Sequence, residues 1–164
     1  MNLKIVFLLT FLMIRVSGFS QSNYKNGGFL ELGGSGALYS LNYERQLPHG
    51  LLARVGFTYL PPRTIAFPLT FGKIFGKKSH HFEIDAGLLL ANSSETLSNN
   101  SVKRVNVILG TGFVGYRYQK ADKRMFYRAG FSCFYRFLYR ESYFNDEPPT
   151  KFLPWAALSI GYRF

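Results

Sequence analysis

The sequence contains a single cysteine, Cys133, among its 164 residues. One cysteine cannot close an internal disulfide, and it excludes a cysteine-rich metal site. The residue shares its parity along the chain with Met125, Tyr127, Ala129 and Phe131. We therefore expect Cys133 to pack as a small hydrophobic side chain.

Long hydrophobic runs and acidic residues are also scarce. Beyond the N-terminus no apolar segment is long enough to cross a bilayer as a helix, so any membrane span has to be built from strands.

Acidic residues number 9 against 20 Lys and Arg, which gives a formal net charge of +11. Basic chains of this kind include proteins that bind nucleic acids or anionic membranes. The basic residues here are scattered, with no long Lys or Arg run, and we expect no nucleic-acid partner.

The one apolar run is at the N-terminus, where residues 1–20 are MNLKIVFLLTFLMIRVSGFS. Lys4 precedes the apolar stretch from Ile5 to Ile14, and small residues follow it up to Ser20. This order is typical of a secretory signal peptide. We predict a signal peptide over residues 1–20 and a single domain over residues 21–164. Cleavage after Gly18 or after Ser20 remains open.

The mature region is rich in aromatic residues and glycine, and its apolar and polar residues alternate. Over the full sequence Phe and Tyr number 17 and 11, and Gly numbers 16; this combination favours strands joined by tight turns. Apolar and polar residues alternate in one segment after another, as in LLARVGFTYL, which indicates strands with one apolar face. The alternation predicts eight strands, over residues 26–33, 37–46, 50–60, 64–74, 80–91, 104–118, 124–138 and 152–164.

Three features interrupt this pattern. The apolar parity switches across GGSG, residues 33–36, which is either a turn that gives eight strands or a bulge that gives seven. Bacterial membrane barrels have even strand numbers, which favours the turn. In VNVILGTGFVGYRY the parity is ambiguous, and we expect a bulge near Gly110 to Gly115. Pro68 lies in the middle of a predicted strand, where it removes a ladder hydrogen bond and indicates an edge-like bend.

The predicted connections differ in length at the two ends of the strands. Those at 48–50, 76–79 and 119–123 are short, whereas 92–103 and 140–151 are longer and polar. The brief connection at 60–63 departs from this trend. Short turns at one end and longer loops at the other are typical of outer-membrane barrels, whose short turns face the periplasm.

The two faces of the predicted strands have different compositions. The polar face carries small residues and isolated charges of both signs, which suits a narrow lumen in which the charges pair. The apolar face suits contact with lipid, and its terminal aromatics would form interfacial girdles. A soluble ligand-binding barrel, with the faces reversed, stays an alternative, although its solvated face should be dense in Lys and Glu. The predicted lumen charge network is Glu31, Glu44, Arg54, Glu83, Asp85, Arg128 and Arg163. The predicted girdle residues are Tyr43, Tyr59, Tyr116, Tyr118, Tyr162 and Phe164.

The chain ends in FLPWAALSIGYRF, a strand that stops on an aromatic residue. This terminus resembles the C-terminal assembly signal of bacterial outer-membrane β-barrel proteins, with Leu158, Ile160, Tyr162 and Phe164 matching it. The mature chain as a whole resembles small outer-membrane barrels of unassigned function. The resemblance implies an all-β, eight-stranded, antiparallel, up-and-down transmembrane barrel in the outer membrane. It also implies outer-membrane lipid and the barrel insertion machinery as partners, and no cofactor.

The same resemblance raises the possibility of an enzyme that modifies outer-leaflet lipid. A hydrolase of this kind needs a histidine beside its nucleophile. The three histidines, His49, His80 and His81, lie in or beside turns predicted to be periplasmic, at the wrong rim for that substrate. We therefore predict no catalytic residue, no metal ligand and no enzyme activity. The predicted role is structural or surface-interactive, through loops whose extracellular partner the sequence does not name.

Overall fold

The computed structural model describes residues 24–61, 64–96, 102–140 and 152–164. The predicted signal peptide, residues 1–20, lies outside the described residues. Two short 3-10 turns, Gly34–Gly36 and Pro48–Gly50, join the first three strands. The strands are β1 (Asn26–Gly33), β2 (Tyr39–Gln46), β3 (Leu51–Leu60), β4 (Thr64–Lys77), β5 (His80–Thr96), β6 (Val102–Gln119), β7 (Met125–Arg140) and β8 (Phe152–Arg163).

The strands form a closed barrel. Each strand pairs antiparallel with the next, and β8 pairs antiparallel with β1, so that Leu30 lies opposite Ile160. The closure extends to the last residue, because the backbone N–H of Phe164 donates to the carbonyl oxygen of Asn26 at 2.9 Å. A closed sheet leaves no strand edge unpaired. The predicted eight-stranded, antiparallel, up-and-down barrel is confirmed.

The GGSG segment is a turn, which is why the strands number eight. Gly33 and Gly34 have φ angles of 70° and 75°, in the region that glycine adopts without the steric cost of a Cβ atom. Gly34, Ser35 and Gly36 are buried, so the turn folds inward at the end of the barrel where the longer connections lie. The Ser35 N–H donates to Glu31 Oε2 at 3.1 Å, and the Thr58 hydroxyl donates to the Gly36 carbonyl at 3.2 Å. The turn therefore covers that end of the lumen.

The irregularities in the ladder differ from those expected. The pairing of β6 is continuous from Gly110 to Gly115 on both sides, so the expected bulge is absent there. The register shift lies between Ile108 and Leu109, and the extra residue belongs to β7. The bulge was misplaced because glycine occurs on both faces of β6 and hides its parity.

Pro68 does not mark an edge-like bend, since the barrel is closed. The residue is buried and lies opposite Leu89 of β5. On its other side the β3–β4 register skips from Val55–Leu69 to Thr58–Ala66. The missing N–H of proline is thus accommodated by a local gap in one ladder.

The distribution of side chains is apolar outside and polar inside. Residues at the outward parity are exposed and mostly Leu, Ile, Val, Phe and Tyr, whereas inward residues are buried and include eight charged side chains. Near the long-loop end the lumen contains a small apolar cluster of Ala66, Leu89 and Phe134. Within the described part of the chain, no helix has the length and apolar character needed to cross a membrane.

Candidate functional site: the lumen cluster

Seven charged side chains meet inside the barrel, and we call them the lumen cluster. They project from six strands, each at an inward position of its strand, and each is at least nine-tenths buried. Alternation turns each of them inward, since every second residue of a barrel strand faces the interior. The cluster consists of Glu31 on β1, Glu44 on β2, Arg54 on β3, Glu83 and Asp85 on β5, Arg117 on β6 and Arg128 on β7.

Glu83 is the centre of the lumen cluster. Its carboxylate accepts contacts from all three arginines: Arg128 at 2.6 Å, Arg54 at 2.8 Å and Arg117 at 3.2 Å. The side chain is fully buried. One carboxylate on β5 therefore ties together strands β3, β6 and β7 across the lumen.

The other carboxylates complete the network. Glu44 pairs with Arg117 at 2.6 Å and with Arg54 at 2.7 Å. Asp85 pairs with Arg54 and, at 3.4 Å, with Arg128. Glu31 accepts from Arg128 at 3.1 Å and from the N–H of Ser35 in the inward turn. Each guanidinium thus contacts at least two carboxylates, which offsets the cost of burying charge.

Aromatic rings flank the arginines. The Arg117 guanidinium lies 4.0 Å from the centre of the Phe126 ring, and Arg128 lies 4.4 Å from the centre of the Phe113 ring. A guanidinium over a ring face is attracted by the ring quadrupole, the more so away from water. These phenylalanines are buried inward residues, and their rings flank the arginine planes.

Six of the seven residues predicted for the lumen network belong to this cluster. The structure places Arg163 elsewhere in the lumen, at the short-turn end, where it is buried and donates to the carbonyl oxygens of Lys120 and Lys123. Sequence reasoning missed Arg117, because the parity of its strand was judged ambiguous. The local pattern Tyr116–Arg117–Tyr118 was the available signal, since an aromatic residue on each side of the arginine places the arginine on the inner face.

The lumen leaves little free space beside Glu31, Arg54 and Arg128. An internal cavity bordered by Glu31, Arg54 and Arg128 measures about 10 Å³, which is at the lower limit for one water molecule. Among the described residues, no group of three or more His, Cys, Asp or Glu side chains is arranged to hold a metal ion.

The histidines lie at the short-turn end of the barrel, away from the longer loops. His49 is in the Pro48–Gly50 turn, and His80 and His81 begin β5. His80 Nδ1 is 2.5 Å from the Tyr116 hydroxyl, and His81 Nε2 is 3.1 Å from the Lys78 carbonyl oxygen. These contacts place the histidines at the rim.

The residues of the predicted assembly signal lie on the outer face of β8 and, for Phe164, directly after its last residue. Leu158, Ile160, Tyr162 and Phe164 are all exposed there. Of the predicted girdle residues, Tyr43, Tyr116, Tyr162 and Phe164 are exposed toward the short-turn end. Tyr59 is exposed toward the other end, and Tyr118 is half-buried.

Comparisons with known proteins give a likeness of fold. No protein-family model and no curated protein sequence matches the chain. The chain is similar to the crystal structure of the N-terminal β-barrel domain of OprF from Pseudomonas aeruginosa. The two superpose with a TM-score of 0.62 at 17% sequence identity, over 88% of this chain and 98% of that one. At this identity the likeness is one of architecture, a closed eight-stranded antiparallel barrel.

Proposed function

We propose that the protein is an integral outer-membrane β-barrel with a closed, side-chain-filled lumen and a structural or surface-interaction role. The likeness to the OprF barrel domain supports a membrane barrel in general. The more specific role is argued from the surface, the lumen and the ends of the barrel.

The observation that carries the proposal is the placement of apolar and charged residues. Phe71, Phe131 and Leu158 are more than 60% exposed, while Arg117, Glu44 and Glu83 are at most 1% exposed. In water this arrangement would leave a continuous apolar surface unburied, and such surfaces are rare on soluble monomers. In a bilayer the same surface is solvated by lipid, and the charges sit where they can pair.

Exposed tyrosines at the two ends of the barrel support an orientation in which the barrel axis crosses the bilayer. Tyr43, Tyr127 and Tyr162 lie toward the short turns, and Tyr39, Tyr59 and Tyr135 lie toward the long loops. Tyr39 donates its hydroxyl proton to the Tyr59 carbonyl oxygen on the neighbouring strand. Amphipathic rings of this kind favour the two membrane–water interfaces.

The packed lumen favours a role without transport or catalysis. The cluster and the inward turn fill the interior, whereas open aqueous channels need about sixteen strands. The lumen carboxylates are occupied by arginines, and the histidines are held at the short-turn rim. Contact with other molecules is therefore assigned to the outer surface and to the connections around 92–103 and 139–151, most of whose residues lie outside the described ranges.

A comparison of boiled and unboiled outer-membrane fractions by gel electrophoresis tests this proposal. A closed barrel satisfies its backbone hydrogen bonds internally and should stay folded in detergent until heated. We expect the tagged protein to be recovered in the outer-membrane fraction and to change its mobility on boiling. A urea-denatured sample provides the unfolded reference. Recovery in the soluble periplasm without a mobility change would instead indicate a soluble barrel and overturn the proposal.

A further inference from the structure

The positive charge of the chain is concentrated at one end of the barrel. In the lumen, four carboxylates face four arginines, counting Arg163, so the interior contributes no net charge. The short-turn end, by contrast, carries seven exposed cations, which we call the basic rim. Among the described residues at this end, one acidic side chain is exposed, Asp122. The basic rim consists of Lys25, Arg45, Lys77, Lys78, Lys120, Lys123 and Arg124.

Part of the basic rim is fixed on the aromatic girdle. Arg124 donates to the Tyr162 hydroxyl at 2.7 Å, and its guanidinium lies 5.3 Å from the centre of the Tyr24 ring. Arg45 follows Tyr43 by two residues on the outer face of β2, and the Tyr43 hydroxyl donates to Asn26 Oδ1 at 2.8 Å. Arg124 is therefore held by these contacts, and Arg45 is placed by its strand, at the level where amphipathic aromatics meet lipid headgroups.

Between these two positions the girdle has a gap at Gly28. Gly28 lies opposite Tyr43 on one side and Tyr162 on the other. A Cβ atom at Gly28 would meet one neighbour, the Asn42 carbonyl oxygen, at 3.9 Å. The outer surface in front of Gly28 is therefore open, and it forms an apolar groove of about 690 Å³ between Tyr43 and Tyr162.

A second apolar groove runs beside the first. It measures about 400 Å³ and is bordered by Tyr127 and Leu158. Both grooves share Leu30 and Ile160, which face each other across β1 and β8. The outer surface thus offers two adjoining grooves that meet at Leu30 and Ile160, farther from the short turns than Arg45 and Arg124.

We propose that this surface binds one anionic glycerophospholipid, with its phosphate between Arg45 and Arg124 and its two acyl chains astride Leu30 and Ile160. The inference rests on the proposed membrane location. A two-chain lipid fits because the grooves are apolar, paired and open to the lipid side, and because cations stand where the headgroup would lie. Each Lys or Arg near an anionic membrane surface strengthens attraction to it.

Native mass spectrometry of the purified, folded barrel tests the proposal with two probes of identical acyl chains, phosphatidylglycerol and phosphatidylcholine. The wild type should retain one phosphatidylglycerol in preference to phosphatidylcholine. Because one surface cation contributes about 1 kcal/mol, Arg45→Gln and Arg124→Gln should each weaken phosphatidylglycerol retention about fivefold. Lys77→Gln and Lys78→Gln remove the same charge at a different turn and should leave retention within about twofold of wild type.

A second pair of variants tests the groove without changing charge. Gly28→Leu places a side chain in the open groove and should abolish retention of phosphatidylglycerol. Ala86→Leu adds the same side chain on the outer face of β5 and should leave retention unchanged. Equal losses in the two arginine variants and the two lysine controls would mean a diffuse electrostatic effect and overturn the site.

The gel-mobility assay separates failure of this site from failure of the membrane assignment. A barrel that still shows a heat-dependent mobility change but no preference for phosphatidylglycerol contradicts the lipid site alone. Absence of the mobility change contradicts the membrane barrel itself. Retention of lipid A in place of phosphatidylglycerol would reassign the surface to the other leaflet and overturn the choice of lipid.

Discussion

At the scale of single residues, the interior depends on Glu83 more than on any other carboxylate of the lumen cluster, because three guanidiniums share it. Each arginine has a second acidic partner: Glu44 for Arg54 and Arg117, and Glu31 for Arg128. Loss of the Glu83 charge therefore weakens three pairs but leaves no guanidinium isolated. The penalty should fall at the lower end of the range for breaking a buried ion pair.

We predict that Glu83→Gln lowers the free energy of unfolding by about 3 kcal/mol, because the neutral amide keeps the volume and loses the charge interactions. Urea-induced unfolding in lipid vesicles measures this change, with fluorescence of Trp155, the single tryptophan, as the readout. Asp122→Asn, an exposed turn residue, is the matched control and should change stability by less than about 0.5 kcal/mol. Equal stability of Glu83→Gln and wild type would show that the network is energetically neutral.

The composition of the lumen cluster was predictable wherever alternation was clear. Glu31, Glu44 and Arg54 sit in strands whose parity the sequence displays without ambiguity. Arg117 was not predicted because β6 has glycines on both faces and an inward phenylalanine, Phe113. The alternation of apolar residues therefore does not show which face of β6 is the inner one. The pairing partners were not predictable either, since they depend on strand register and stagger, which set the height of each side chain in the barrel.

At the scale of the strands, β8 closes the barrel through its backbone and presents every second side chain outward. Phe164 illustrates the separation: its N–H donates to the Asn26 carbonyl oxygen, while the residue as a whole is 57% exposed. The ring is therefore free to be recognised by another protein, and its removal should cost the folded barrel little packing.

We predict that Phe164→Ala reduces insertion in cells several-fold but leaves refolding of the purified protein in detergent unchanged. The resemblance of the terminus to an assembly signal supplies the first expectation, and the backbone-only closure supplies the second. The heat-modifiable fraction in outer membranes and in refolding reactions measures the two effects separately. Phe164→Tyr keeps an aromatic ring and serves as the control. A refolding defect as large as the cellular one would assign Phe164 a structural role.

The strand boundaries show where the sequence pattern no longer predicts the structure. Predicted and observed strands begin within two residues of each other throughout. However, β5 continues to Thr96 and β6 begins at Val102, beyond the predicted 80–91 and 104–118. Past the apolar band, polar residues also face outward, and Asn92 donates to Asn106 at 2.6 Å across the two strands. Alternation ends there although the backbone ladder continues.

At the scale of the whole molecule, charge is arranged along the barrel axis. The lumen is neutral in sum, and the short-turn end holds the basic rim. Periplasmic short turns are the rule for outer-membrane barrels, and in the proposed location that orientation would set the basic rim against the inner leaflet. Orientation therefore decides which anions the basic rim meets, and the lipid proposal depends on it.

We predict that the short turns face the periplasm and the segment 141–150 faces outward. Single cysteines at Lys78→Cys and Asn145→Cys, each in a Cys133→Ala background, allow labelling with a membrane-impermeant maleimide. Asn145→Cys should react on intact cells, whereas Lys78→Cys should react only after the outer membrane is permeabilised. Cys133→Ala alone gives the background, since Cys133 is the one native cysteine. Reaction of Lys78→Cys on intact cells would show that the barrel has the opposite orientation, with the basic rim facing the phosphates of outer-leaflet lipid A.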